Sequence, residues 1–177
     1  MTAPGQSERF RALLEGHKGI LYKVCHAYCR NADDRDDLAQ EIVVQLWQAF
    51  GRFDERARFS TWMYRIALNV AISFYRRESA RARRVLVDGE RLLEESEAEA
   101  GPSDDIALLY GFIGGLEPLS RALVLLYLDG HSHRDIAEVL GVSETNVGTK
   151  LGRLKGELRR AFRRAEGAEE GADDDEP

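Results

Sequence analysis

Residues 132–162 read SHRDIAEVLGVSETNVGTKLGRLKGELRRAF, and this stretch decides the fold. Ser132 is placed to cap a short helix whose inward face is Ile136, Ala137, Val139 and Leu140. Ala137 is small where two helices would cross closely. Gly141 falls where the chain must turn sharply, and glycine tolerates the positive φ such a turn uses. Ser143 can then cap a second helix, on which Val147, Leu151, Leu154 and Leu158 recur at helical spacing and so pack inward. Glu144, Thr145, Asn146, Gly148, Thr149, Lys150 and Arg153 are left on the outside. The first half of that face offers hydrogen-bonding groups for base edges, and the second half offers cations for phosphates. A recognition helix in the major groove needs that division of labour. A plain helical hairpin would satisfy the apolar spacing equally well; the basic outer face, together with the Ala, Gly and Ser positions, turns the reading toward DNA.

Working outward, helix signals run nearly end to end and strand signals are weak. Pro118 suits a helix start before the apolar run Leu119 to Leu128, and Ile106 to Leu116 opens the same apolar region. In the first half, Ile20, Leu21, Val24, Cys25 and Tyr28 recur at spacings of three and four within His17 to Arg30. Leu38, Ile42, Val43, Leu46, Trp47 and Phe50 do so within Asp36 to Phe50, with Asp33, Asp34, Asp36 and Asp37 suited to the positive end of that helix. Gly51 to Ser60 reads as a connection, after which Ser60 or Thr61 can cap a long helix carrying Trp62, Ile66, Val70 and Phe74 and ending near Arg84. Leu86 to Ser103 is rich in Glu and Ala and closes with Gly101-Pro102-Ser103, the composition of a linker. The expected fold is all-α: two small helical domains joined by a flexible linker, the second containing a helix-turn-helix. The expected boundaries are 1–86, an acidic linker over 87–104, 105–165, and a disordered acidic tail over 166–177.

With 44% hydrophobic and 32% charged residues in 177, the composition is that of a folded, helix-rich soluble protein. No apolar run approaches the roughly 18–20 residues of a membrane span, and Met1 to Arg11 has no signal-peptide pattern, so the expected compartment is the cytoplasm, without membrane insertion. The net charge is −6, but it is unevenly distributed. Arg52 to Arg84 holds nine arginines against three acids, and Lys150 to Arg164 holds seven cations against Glu157 alone. Acids gather instead in Asp88 to Asp105 and Glu166 to Glu176. Clustered cations attract phosphates whatever the net charge; two solvated helix faces would look the same by charge alone. The first basic block also carries Phe53, Phe59, Trp62, Tyr64, Phe74 and Tyr75, which suit a core and equally suit stacking on unpaired bases. Cys25 and Cys29, near His17 and His26, read as two small buried apolar side chains in a reducing compartment, with a metal or redox pair as the alternative. No phosphate-binding loop, metalloprotease motif or nucleophile elbow is present in the sequence, so neither an enzyme nor a cofactor is expected.

Two stretches together resemble a known family. Asp37-Leu38-Ala39-Gln40-Glu41, then Trp47, Phe53, Phe59 to Asn69 (FSTWMYRIALN) and Arg76-Arg77, are similar to region two of extracytoplasmic-function sigma factors of RNA polymerase. Leu116-Glu117-Pro118-Leu119-Ser120-Arg121, Asp129-Gly130 and Asp135 to Glu144 (DIAEVLGVSE) are similar to their region four. The resemblance implies that Asp37, Gln40 and Glu41 dock on core RNA polymerase. It implies that Trp62, Arg65, Asn69, Arg76 and Arg77 meet the −10 promoter element as it opens, Asn69 at the position that helps to capture a flipped base. It implies that Ser143, Glu144, Asn146, Lys150 and Arg153 meet the −35 element as duplex. It further implies an anti-sigma factor as a partner. Gly148 and Asn146 depart from the family, many of whose members carry a cation and a threonine there. A free-standing helix-turn-helix regulator is the second reading, opposed by the Trp62 to Asn69 block; a polymerase adaptor that ignores DNA is the third, opposed by the basic face of Lys150 to Arg164.

Overall fold

The computed structural model describes residues 4–87 and 104–170, which hold eight helices and no strand. The chain divides into two compact units, Met1–Glu99 and Ala100–Pro177. The linker expected between the domains falls on residues 88–103, outside the described residues apart from its helical ends, Val87 and Asp104.

The first unit comprises α1 (Pro4–Gly16), α2 (Lys18–Tyr28), α3 (Ala32–Phe50) and α4 (Phe59–Val87). Helices α2, α3 and α4 pack against one another. Their core comes from the spacings of three and four: Ile20, Val24 and Cys25 on α2, Leu38, Ile42, Leu46 and Phe50 on α3, and Met63, Tyr64, Ala67, Leu68, Ala71 and Phe74 on α4. Helix α3 starts at Ala32 rather than Asp36, because Asn31 caps it. The Asp34 N–H donates to the Asn31 side chain at 2.7 Å, and the Asn31 amide donates to the Asp34 carboxylate at 2.9 Å. Helix α4 starts at Phe59, so Ser60 and Thr61 lie inside its first turn and are not its caps; the Trp62 N–H already bonds the Arg58 carbonyl at 3.1 Å. Buried Phe59 draws the helix start forward by joining Phe53 and Trp62 in an aromatic cluster. Helix α1 was not anticipated. It has little apolar periodicity, yet its buried Phe10 meets the rings of Trp47 and Phe50, each at 5.1 Å between centroids.

The second unit comprises α5 (Asp104–Gly115), α6 (Pro118–Leu128), α7 (His133–Leu140) and α8 (Glu144–Glu170). Pro118 opens α6, and every residue from Ser120 to Leu126 is buried, which makes α6 the centre of this unit. Arg121 is among them, only 5% exposed. Its Nε donates to the Leu116 carbonyl at 2.8 Å and its Nη2 to the Gly114 carbonyl at 2.6 Å. The guanidinium thereby ties carbonyls at the end of α5. Ser132 caps α7 in a reciprocal box with Asp135, and Gly141 ends it at φ 67, returning its N–H to the Ala137 carbonyl. Ser143 caps α8 by accepting the Asn146 N–H at 3.2 Å. Val147, Leu151 and Leu154 are buried as the spacing required. Helix α8 continues to Glu170, so the residues from Glu166, expected in a disordered tail, begin as helix; Ala and Glu are strong helix formers and extend the ladder. Residues 171–177 lie outside the described residues.

Gly148 sits in the interior of α8 without a steric need for glycine. A Cβ there would meet only the His133 ring, at 3.7 and 3.9 Å, an ordinary contact. Gly148→Ala is therefore expected to stabilise the second unit by about 1 kcal/mol. Urea unfolding followed by circular dichroism, with the slope unchanged and the midpoint raised, checks this.

Candidate nucleic-acid and polymerase interfaces

On the second unit, Ser143, Glu144, Thr145, Asn146, Thr149 and Arg153 are exposed on α8, as the sequence pattern requires. Two residues of the expected face behave differently. Gly148 is half-buried against His133, and Lys150 is half-buried with its Nζ 3.4 Å from the Glu117 carboxylate at the start of α6. Glu117 also accepts from the Ser120 hydroxyl at 3.0 Å. That hydrogen bond first, and Lys150 second, hold its carboxyl below the usual range. Arg153 lies 3.6 Å from Glu157 one turn on. Glu117 was not singled out from the sequence: an acid at a helix start suits the dipole, and nothing local points to a lysine 33 residues away. Lys155, also passed over, stands 4.1 Å from the centroid of the Tyr127 ring.

On the first unit, Trp62, Arg65, Asn69 and Arg76 fall within about 60° of one another around α4, on one face. Arg65, Asn69 and Arg76 are exposed, while Trp62 is half-buried among Phe53 at 5.0 Å, Phe59 at 5.4 Å and Phe50 at 6.3 Å. Arg77 stands about 100° away from Arg76, on the flank toward α3. Its Nη1 and Nη2 donate to the two carboxylate oxygens of Glu41 at 3.2 and 2.7 Å, and its guanidinium lies 5.4 Å from the Phe74 centroid. The Glu41 hydrogen bonds raise the arginine's affinity for its proton further. So the structure joins one residue of the expected −10 set to one of the expected polymerase set, a pairing that sequence spacing does not reveal. Beneath the Trp62 cluster, Arg9, Ala12, Leu13, Phe53, Glu55, Ala57 and Phe59 line a recess of about 490 Å³. Arg9 is ion-paired with Glu55, whose φ of 62 is unusual for a residue with a side chain.

Asp37, Gln40 and Glu41 share one face of α3, opposite the Leu38, Ile42 and Leu46 seam. Asp37 and Gln40 are exposed and Glu41 is half-buried. Val44, one turn beyond, is 50% exposed and extends the face with an apolar group. The signal for it was present in the sequence, since Val44 falls off the core spacing of α3.

Cys25 and Cys29 are both buried and both free thiols. Burial pushes the Cys25 thiol up to about 11, with Arg35 opposing and Asp36 adding to the shift. His17 and His26 turn their Nδ1 atoms to the Leu13 and Tyr22 carbonyls, at 2.8 and 2.9 Å. Among the described residues no group of three or more His, Cys, Asp or Glu is placed to hold a metal ion. Nor is any described helix long and apolar enough to cross a membrane.

These features define the class: a two-unit, all-α protein whose second unit carries a helix-turn-helix. Residues 13–81 match sigma-70 region 2, and residues 106–158 match sigma-70 region 4. The RNA polymerase sigma factor CnrH of Cupriavidus metallidurans is 30% identical over 167 residues, covering 87% of this chain and 86% of that protein. The ECF RNA polymerase sigma factor SigW of Bacillus subtilis is 24% identical, covering 84% and 86% respectively. Among solved structures, CnrH bound to the cytosolic domain of CnrY superposes with a TM-score of 0.64 at 26% identity, over 89% of this chain and 90% of that one. RpoE of Bartonella quintana, bound to the anti-sigma factor NepR, shares the fold with a TM-score of 0.65 at 18% identity, over 91% and 98%. The chain belongs to the sigma-70 family, as a sigma factor of the extracytoplasmic-function group. It directs core RNA polymerase to specific promoters and assists promoter opening at transcription initiation.

Two outcomes follow from the local chemistry. Cys25 will resist a thiol reagent at neutral pH in the folded chain and react once the chain is unfolded in urea, as titration with a chromogenic disulfide reads directly. The second concerns Asp135, whose carboxyl is held low by the Ser132 hydroxyl and then by the Ser132 backbone N–H. A depressed carboxyl contributes stability above its unfolded value, and that contribution is lost as pH falls through the folded value. The unfolding midpoint of Asp135→Asn will therefore fall less steeply than that of the parent between about pH 5 and pH 2.

Proposed function

We propose that the two units divide promoter recognition between them. The α8 face reads the −35 element as duplex: Glu144 and Asn146 offer polar groups to base edges, and Ser143, Lys150 and Arg153 meet phosphates. The α4 face bearing Trp62, Arg65, Asn69 and Arg76, with Arg77 at its flank, holds the opened −10 strand. The recess that Phe53 and Phe59 help to line offers two rings to an unstacked base. Asp37, Gln40 and Glu41, extended by Val44, form the docking face for a basic surface of core polymerase. The observation that carries this reading is the presence, in each unit, of one exposed polar and cationic helix face opposite a fully buried seam.

The same reading assigns 1–86 and 105–165 as the two functional domains, places the protein in the cytoplasm, and leaves the chemistry of RNA synthesis to the core enzyme. An anti-sigma factor is a partner of the kind that RpoE of Bartonella quintana binds. Gly148 weakens the middle of the recognition helix, and Lys150 must leave Glu117 to reach a phosphate. The −35 contact thus leans on Arg153 and on the first turn of α8.

Size-exclusion chromatography with bacterial core polymerase tests the whole reading. Co-elution with core, and retention of promoter-library DNA only when both proteins are present, is the expected result; DNA retained by the chain without core association would replace it with a free-standing regulator. The assignment of Asn69 has its own test. Asn69→Ala will impair opening of a library-selected promoter, read by permanganate reactivity, more than closed-duplex binding, and an equal loss of both removes it from the strand-binding set.

A further inference from the structure

The Arg77–Glu41 pair joins two faces that the reading above gives to different partners. Glu41 lies on α3 with Asp37 and Gln40, and Arg77 on α4 beside Arg76. Both terminal nitrogens of Arg77 are engaged, one on each carboxylate oxygen, at 3.2 and 2.7 Å. That fork of two donors is the same group that grips a phosphate through two oxygens, so the carboxylate and a strand phosphate compete for it. The Phe74 ring at 5.4 Å gives the guanidinium a second support that does not depend on Glu41. Both side chains stay accessible, at 55% for Arg77 and 35% for Glu41, so either can be taken up from outside.

We infer that Glu41 covers Arg77 in the free chain and releases it to the DNA backbone when a basic partner surface takes up Glu41, so that docking at α3 and strand binding at α4 are coupled through one ion pair. The inference rests on the roles proposed above for these two faces. Glu41 then acts as a positioning residue for strand binding without touching DNA. Exposed ion pairs are weak, which suits a contact that must open on each round of assembly. Because Arg77 stays over Phe74 when the carboxylate leaves, it is presented to the strand without a search through its rotamers.

A double-mutant cycle on the full-length chain tests this, with a labelled oligothymidine strand as the probe. Without polymerase at low ionic strength, Glu41→Gln is expected to tighten binding about two- to fivefold. It is expected to steepen the dependence of log K on log salt by about 0.7, the signature of one added phosphate contact on a single strand. In the Arg77→Ala background the same substitution should change nothing. A gain that persists there would mean that a negative charge had merely been removed nearby, and no gain in either background would mean that the pair does not cover the arginine; either result overturns the inference. The coupling has a separate readout. Arg77→Ala should weaken strand binding by the holoenzyme more than by the free chain, and equal losses overturn it. Core affinity of Asp37→Asn and Gln40→Ala, measured in parallel, reports on the docking face alone. If neither variant binds core less tightly, the docking reading fails whatever the DNA cycle shows.

Discussion

The seam that α4 buries between α2 and α3 governs the first unit. Met63, Tyr64, Ala67, Leu68, Ala71 and Phe74 form an unbroken stripe at helical spacing, and Ala67 and Ala71 are fully buried. A stripe of this kind fixes the rotation of the helix about its axis, because each large side chain in it contributes roughly 1.5–3 kcal/mol by leaving water. Once that rotation is fixed, Trp62, Arg65, Asn69 and Arg76 have no choice of direction. The face that would hold a DNA strand is the complement of the face that holds the unit together. Arg77, on the boundary between the two, reaches back to α3 for the same geometric reason.

The second unit is organised about α6, and Arg121 shows how. A buried guanidinium is tolerable only when its donors are satisfied, and here they are spent on carbonyls at the end of α5. Those carbonyls carry the negative end of the α5 dipole, so charge and hydrogen bonding act together. The arginine thus locks the α5–α6 corner from the inside. Helix α6 in turn packs on both α7 and α8 and sets the platform on which α8 rests. Four glycines, Gly148, Gly152, Gly156 and Gly167, make α8 a poor helix on its own. Its order comes from Val147, Leu151 and Leu154 packing inward and from the Ser143 cap.

What could be read in advance was whatever is encoded within a few residues. The Ser132 cap, the Gly141 turn, the Pro118 start and the inward Val147, Leu151 and Leu154 of α8 are local patterns with local causes, and each is where the sequence placed it, whereas Leu158, expected inward, and Gly148 and Lys150, expected outward, are all half-buried. Helix α1 escaped because one buried ring, Phe10, does the work that periodicity usually advertises. The start of α4 was misplaced because hydroxyl residues suggest a cap, whereas the tertiary burial of Phe59 decided the matter. The exposed residues of the candidate faces could be assigned to helices, but their partners could not. Glu41 with Arg77 and Glu117 with Lys150 are 36 and 33 residues apart, and no helical period connects them.

Those pairs also bear on the proposal that an acidic chain with a pI near 5.3 presents two phosphate-seeking surfaces. The acids of the described residues do not simply stand apart from the cations. Glu41 faces Arg77, Glu117 faces Lys150, Glu157 faces Arg153, and Glu55 faces Arg9. Each cation is thereby oriented in the absence of DNA, yet its carboxylate partner is held by a weak, salt-screened ion pair at the surface. A duplex or strand brings a row of phosphates rather than one carboxylate, and releases counterions when it binds, so it can displace such partners collectively where none would displace them singly. On the proposed reading, weak self-pairing of this kind would lower the affinity of the free chain for arbitrary nucleic acid. It would leave the full set of cations available once the polymerase presented both promoter elements at the correct spacing, because the two units would then bind as a linked pair.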